Sequence, residues 1–294
     1  VTVQKTIIVT GGTAGIGQQT AIGLARLGAR VIVTGRDATR GQAGLDAIRQ
    51  QSGSTDVELV LGDLTCGADI VQLADRLMQH APRIDVLIHN AGAFAEQRST
   101  TKDGFELCFA VNVAAPWLLT QRLLPALTAA RPARVVLVTG GQTGNALDVD
   151  NLQAEKGFLG LATYDHSKRA ADAMGLALAR ELAPLGVHLN IVYPGQAATG
   201  MTRSVKAEHM PWWMRPFAPL FGLMVRDDGG RSAAKASRSS IWAATAPEVE
   251  GASGGYFDTN CKKATPARSV IDPANQQRVL ETLQRTWQPL LPTT

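Results

Sequence analysis

Residues 5–27 constrain this chain more than any other stretch, because an apolar run there meets a glycine-rich turn and then a helical pattern. Residues 5–10 close on Ile7-Ile8-Val9-Thr10 and read as a buried strand. Gly11-Gly12-Thr13-Ala14-Gly15-Ile16-Gly17 follows, and residues 18–27 take up a helical pattern. Glycine is required where φ is positive or where backbone must closely approach a ligand or a neighbouring element. Such a turn, entering a helix, aims free backbone N–H groups at whatever lies beyond the helix N-terminus, and a pyrophosphate suits that position. The spacing G-x-x-x-G-x-G departs from the commoner G-x-G-x-x-G but has the same consequence. Gly11, Thr13, Ala14, Gly15, Ile16 and Gly17 form the expected phosphate cradle.

The same alternation of short apolar runs and helical stretches continues to about residue 195, with no repeat or flexible linker to divide it. This predicts one α/β domain spanning residues 1–294, a doubly wound parallel sheet flanked by helices. With 45% hydrophobic residues, 294 positions suffice for a large core. The net charge of +4 is scattered without basic runs, which argues against nucleic acid as a partner. Cys66, Cys108 and Cys261 make no C-x-x-C pair, and the five histidines lack metal-ligand spacing, so no metal is expected. Ile7-Ile8-Val9 is strand-sized rather than signal-like, and no run approaches the ~18 apolar residues of a membrane span. These features predict a soluble, cytoplasmic protein without a transmembrane segment.

The second strand, residues 30–34, leads into Gly35-Arg36-Asp37. Folds that prefer NAD place a carboxylate at this strand tip, against the ribose hydroxyls. Here the tip is glycine, and Arg36 can face a 2′-phosphate bidentately. Asp37 competes as an NAD-type acid, but it also opens a helical stretch, where aspartate is a preferred N-cap. The balance favours NADP over NAD. Asp63-Leu64 and Asn90-Ala91-Gly92 follow the third and fourth strands, at the strand ends where open parallel sheets bind ligands. Asp63 suits either the adenine amine or a cap on the helix starting near Cys66.

Tyr164-Asp165-His166-Ser167-Lys168 is the candidate catalytic segment. A tyrosine and a lysine four positions apart share one face of a helix. An ammonium there is expected to pull the phenol's pKa down from about 10, readying it for acid–base exchange with an alcohol or carbonyl oxygen. His166, two positions from Tyr164, falls on another side of that helix and reads as structural. His89 reads as packing at the end of the fourth strand.

Together these residues resemble the short-chain dehydrogenase/reductase family. The resemblance rests on the T-G-x-x-x-G-x-G of residues 10–17, Asp63-Leu64, Asn90-Ala91-Gly92, Asn112, Tyr164-x-x-x-Lys168, and Pro194-Gly195 with Thr199. Gly35-Arg36-Asp37, residues 147–152 with Glu155-Lys156, and Gly255-Tyr256-Phe257 with Cys261-Lys262 are similar to the retinol-dehydrogenase-like branch. The resemblance implies a Rossmann fold of about seven parallel strands and a nicotinamide cofactor, NADP more often than NAD. It implies that Tyr164 gives or takes a proton, that Lys168 holds the nicotinamide ribose, and that Asn112 holds a water in a relay. From the residues alone Asn112 is a polar side chain within a helix, marking a kink. Pro194 and Gly195 would lie beneath the nicotinamide, and Thr199 would bond its carboxamide.

One position departs from the family pattern. Two serines usually follow the fifth strand, and here residues 138–143 read Val-Thr-Gly-Gly-Gln-Thr, so Gly140 stands at the catalytic serine. Thr139 could substitute only with a shift of register, since neighbouring strand residues face opposite ways. Gln142 or Thr143 could reach the substrate oxygen from the loop. Losing one such donor commonly costs about 10²–10³ in rate.

Residues 200–230 fall where a substrate-binding lid is expected, and residues 210–221 concentrate Trp212 and Trp213 with other large apolar groups. A lid over a lipophilic or aromatic substrate, ordinary packing and shallow membrane contact are the three readings. Phe94 could line the same pocket. Small apolar residues in 170–182 suit close packing against the core or a second subunit, so a homodimer is one expectation. The predicted activity is hydride transfer between NADP and a carbonyl or secondary alcohol. The alternatives are a non-redox lyase or isomerase, or an NADP(H)-binding protein with little turnover.

Overall fold

The computed structural model describes residues 4–140, 146–195, 197, 202, 205–210, 216 and 228–292. Seven strands form one parallel sheet: β1 (Thr6–Val9), β2 (Arg30–Gly35), β3 (Val57–Leu61), β4 (Val86–His89), β5 (Ala133–Val138), β6 (Val187–Val192) and β7 (Tyr256–Phe257). Their spatial order is β3-β2-β1-β4-β5-β6-β7. Among the described residues the longer helices are α1 (Gly15–Arg26), α2 (Ala38–Ser52), α3 (Gly67–His80), α4 (Leu107–Thr128), α5 (Gly160–Leu182), α6 (Arg231–Thr245) and α7 (Pro273–Trp287).

Unbroken β-branched runs such as Ile7-Ile8-Val9 and Val31-Ile32-Val33 suit strands buried on both faces. Neighbours in those runs point to opposite faces. Ile8 and Ile32 join one core with Leu73, Trp117 and Met174, beneath α3, α4 and α5. Ile7, Val9, Val31 and Val33 join the other with Ile22, Leu45 and Ala243, beneath α1, α2 and α6. The chain runs outward from β1 to β3, then returns to place β4 on β1's other side. That reversal opens a crevice beyond the carboxyl ends of β1 and β4, the usual ligand position in such sheets.

The small residues of α5 are used within the chain. A Cβ on Gly175 would lie 2.8 Å from Leu137 Cδ2, so α5 presses directly onto β5. The outer side of α5 is packed against α7. Trp287 closes α7 fully buried, and its Nε1 donates to Asp103 Oδ2 at 3.0 Å. The same carboxylate oxygen accepts from Gly67 N at 2.6 Å, joining the two termini of the helical layer. Close packing of α5 therefore needs no second subunit to explain it.

Helix α4 corrects one expectation. Leu107–Thr128 is long and apolar enough to cross a membrane, with a hydropathy of 1.3 in its most apolar window. It passes that test because it is a core helix, with 78% of the window buried inside the protein. A turn of π-type geometry at Ala110–Ala114 interrupts it around Asn112, the residue at which an irregularity was expected.

Candidate active site

The glycine turn is built by close approach. Gly11 has φ +61°, and a Cβ on it would lie 2.9 Å from Ala91 Cα. A Cβ on Gly17 would run into Asn90 Nδ2 and Gly11 O. Asn90 braces the turn, its Nδ2 donating to Thr10 O at 3.0 Å and Gly11 O at 3.2 Å. Thr10 Oγ1 accepts from both Asn90 N and Ala91 N at 3.1 Å. Asn90 and Ala91 thus shape the cradle, with Gly92 following them on the same loop.

Helix α1 differs from α2, α3 and α4 at its N-terminus. Asp37 caps α2, Glu106 caps α4, and Asp103 takes the first N–H of α3. Ala14, at the N-cap of α1, offers no side-chain acceptor, and no acidic residue lies in that first turn. The leading N–H groups around Gly15, Ile16 and Gly17 are left for an anion. A dinucleotide pyrophosphate fits this cradle, so the residues present suit the cofactor the sequence implies.

At the tip of β2 the charges sort themselves. Asp37 accepts from Arg40 N at 2.8 Å and pairs with the Arg40 guanidinium at 3.6 Å. The backbone bond from Arg40 is the main cause holding its carboxyl below the usual range. Asp37 is therefore the helix cap. Arg36 is exposed and, among the described residues, makes no hydrogen bond or ion pair. A Cβ on Gly35 would meet Thr13 Cγ2 at 3.0 Å, so the strand tip has little room for an acidic side chain.

Asp63 does not cap α3, the second of its two expected roles. Its Oδ1 accepts from Thr65 N at 2.9 Å, tightening the turn after β3. The N-cap of α3 is Cys66, which makes no side-chain cap. Leu64 packs against the core edge.

Tyr164 and Lys168 lie one turn apart on α5, with Lys168 Nζ 5.9 Å from the Tyr164 ring centroid. Asn112 joins α4 to this helix. Its Nδ2 donates to Ser167 Oγ at 2.8 Å and Ala93 O at 3.0 Å, while its Oδ1 accepts from Ala93 N at 2.8 Å. Ser167 Oγ in turn donates to Tyr164 O at 2.7 Å. With its side chain held by three bonds, Asn112 fixes both Tyr164's backbone and the loop after β4.

Lys168 is buried, and its Nζ donates to Val138 O at 3.1 Å. The stem crosses Gly140, where a Cβ would lie 2.5 Å from Lys168 Cγ and 3.2 Å from Tyr164 Cε1. The absent serine side chain is thus matched by the lysine stem in its space. Thr139 does not replace it. Its buried hydroxyl makes no hydrogen bond among the described residues, and the group it lies towards is Asp172, one turn beyond Lys168.

The electrostatics correct the expected phenol shift. Burial raises the Tyr164 phenol above its ordinary value, with Asp165, Cys108 and Tyr193 adding to the rise. Burial lowers the Lys168 ammonium, opposed first by Asp172. Desolvation therefore dominates the phenol in the free protein. Tyr164 stays protonated.

Phe94 meets the Tyr164 ring edge-on at 6.3 Å between centroids, and packs on His209 at 5.6 Å. His209 is buried between Glu96 and Glu208, at 3.7 and 3.6 Å. Its Nδ1 accepts from Lys206 N at 3.0 Å. Sequence reasoning missed His209 and Ser167, since a lone histidine and a serine inside a motif carry no spacing signal. His166 is structural as expected, accepting from Asp148 N at 3.0 Å. Pro194 is buried beyond β6, and Gly195 has φ +80°. Gln142, Thr143, Thr199, Trp212 and Trp213 lie outside the described residues.

Comparison with known proteins adds an independent line. A family profile described as short chain dehydrogenase matches residues 5–210. Retinol dehydrogenase 14 of Mus musculus is 35% identical over 279 residues, covering 91% of this chain and 81% of that protein. Polyprenol dehydrogenase of Mus musculus is 35% identical over 283 residues, covering 94% and 81%. Among solved structures, an uncharacterized protein from Mycobacterium paratuberculosis aligns with TM-score 0.75 at 22% identity, covering 99% of this chain and 96% of that one. A Pseudomonas aeruginosa structure titled as an RhlG/NADP active-site complex aligns with TM-score 0.62 at 27% identity, covering 92% and 96%.

Proposed function

Because the chain belongs to the short-chain dehydrogenase/reductase family, in its retinol-dehydrogenase-like branch, we propose that it is an NADP-dependent oxidoreductase acting on a lipophilic carbonyl or alcohol. One observation carries this reading: Tyr164 and Lys168 are stacked on α5 facing Phe94, with Asn112 bonded to Ser167 on the same turn. That arrangement holds a phenol and an ammonium together beside an apolar wall, in the crevice where the glycine cradle ends.

Bound NADP(H) supplies or accepts the hydride at the substrate carbon. Gly11, Thr13, Gly15, Ile16 and Gly17 would hold its pyrophosphate, Arg36 its 2′-phosphate, and Lys168 with Tyr164 its nicotinamide ribose. The binding partners support NADP over NAD, since Arg36 is free to bond a phosphate while Asp37 is committed to Arg40. The P. aeruginosa relative was solved with NADP, which agrees.

Tyr164 acts on the substrate oxygen. A phenol raised by burial carries its proton at neutral pH and is ready to donate it to a carbonyl oxygen. Lys168 keeps a positive charge beside the ring. Asn112 fixes the turn of α5 that bears the phenol. Phe94 and His209 wall the approach, and the relatives named for retinol and polyprenol act on lipophilic alcohols, so a long apolar aldehyde or ketone is the substrate class.

Loss of reduced-nicotinamide absorbance with a panel of apolar aldehydes and ketones tests this reading, with NADPH and NADH compared. Product formed without net change in cofactor would instead indicate a lyase or isomerase. A second reading, tight NADPH binding with little turnover, is favoured by Gly140, since no described side chain stands where the family's serine would polarise the substrate oxygen.

A further inference from the structure

Helix α5 carries a third ionisable group behind the Tyr164–Lys168 pair. Asp172 lies four residues beyond Lys168 and eight beyond Tyr164, so all three share one face of the helix. Its carboxyl is 4% exposed, and Oδ1 accepts no hydrogen bond. Thr139, 3% exposed, turns its hydroxyl towards this carboxyl, yet Oγ1 falls short of hydrogen-bond geometry and has no other partner. A buried carboxylate with incomplete hydrogen bonding is unfavourable by itself and persists best beside a positive charge.

Among the described residues, the charges acting on it come from its own helix. Lys168 and Arg169 act on Asp172, and both lie on α5 itself. Arg169 is shared with Asp165 and with Tyr256 on β7. Lys168 faces Asp172, the Tyr164 ring and, from α4, Cys108. Cys108 is held as the neutral thiol by burial and by Glu106, its pKa pushed up to about 12. Among the described residues Asp172 is the acidic group one turn from a buried ammonium that otherwise contacts a backbone carbonyl and a ring face; burial pushes its own carboxyl up to about 7, so it is the anion above that pH.

We propose that Asp172 is a positioning residue for the acid–base pair: from the next turn of α5 its carboxylate attracts the Lys168 ammonium and holds it drawn back along the end of β5. This rests on the oxidoreductase reading of Tyr164 and Lys168. It assigns part of the missing serine's work to a different layer of the site. The serine would polarise the substrate oxygen directly, whereas Asp172 acts on the lysine that faces the phenol.

The consequence has a definite sign. Removing the anion favours the neutral amine, so the ammonium loses its proton at lower pH. In Asp172→Asn the alkaline limb of the kcat/KM profile for NADPH-dependent reduction moves down by one pH unit or more. On that limb the variant is about tenfold slower than wild type at equal pH. Asp172→Glu, which keeps the charge, restores the limb to within half a unit, roughly, by the same tenfold-per-unit relation. A carboxyl serving only as packing would lower stability in both variants and leave the limb in place.

A second measurement needs no turnover. The Lys168 ε-carbon resonance, assigned by comparison with Lys168→Arg, is titrated in the whole protein with and without Asp172→Asn. A midpoint moved to lower pH supports the proposal, and superimposed titrations overturn it. If the midpoint moves while the wild type transfers no hydride, the Asp172–Lys168 coupling stands and the oxidoreductase reading falls. If hydride transfer is normal and neither limb nor midpoint moves, the coupling falls and the oxidoreductase reading stands.

Discussion

Gly140 and Lys168 share one volume: a Cβ on the glycine would sit 2.5 Å from Cγ of the lysine, with Tyr164 Cε1 only 3.2 Å away. The contact is with the lysine stem rather than its mobile end. Adding the serine hydroxyl that the family carries therefore displaces Lys168 from Val138 O. We predict that Gly140→Ser lowers kcat/KM about 10- to 100-fold, as displacements near 1 Å do in other sites. Steady-state reduction kinetics check this, and a faster variant would show that the lysine repacks without loss.

Arg36 stands free at the tip of β2 while Asp37 caps α2. Charge-assisted hydrogen bonds contribute about 1.5–3 kcal/mol, or roughly 10- to 100-fold in affinity. Arg36→Ala should raise the dissociation constant for NADPH by that factor and leave NADH nearly unchanged. Titration of both cofactors by fluorescence measures the two directly. Equal weakening of both would rule out Arg36 as the reader of the 2′-phosphate.

His89 gives the fold a pH dependence of known sign. Its Nε2 lies 2.7 Å from Thr120 Oγ1, whose own proton goes to Pro116 O. Burial depresses the imidazole to about 3 from 6.5. Between those values the unfolded chain binds a proton that the native state refuses, so stability rises with pH and is lost as pH falls below 6.5. The slope from this group is about 1.4 kcal/mol per pH unit. Denaturant unfolding from pH 7 down to about 4.5 should show that slope in the wild type and its loss in His89→Gln. Equal slopes would show that the native histidine protonates freely.

The sheet and the glycine turn were legible in the sequence because both rest on local rules. Doubly buried strands read as β-branched runs, and a backbone approaching Ala91 as closely as Gly11 does excludes a side chain. The irregularity at Asn112 was also expected from a polar residue inside an apolar helix. What escaped depended on distance in space. Ser167 becomes a tether only when α4 brings Asn112 to it, and His209 a wall only when Phe94 lies beneath it. The phenol shift was misjudged for a similar reason. Spacing places Lys168 near Tyr164, but the sequence does not display the burial that raises the phenol. Asp63 tightens its own turn, because Asp103 arrives from another loop to bind the start of α3.

The central claim is that the Tyr164 phenol donates the proton that accompanies hydride transfer. Its most direct test is single-turnover oxidation of bound NADPH by an apolar aldehyde, comparing wild type with Tyr164→Phe. Removing a general acid of this kind typically costs about 10²–10⁴ in rate. The account predicts a loss in that range with NADPH affinity nearly unaltered. A variant that reduces the aldehyde at the wild-type rate would contradict it.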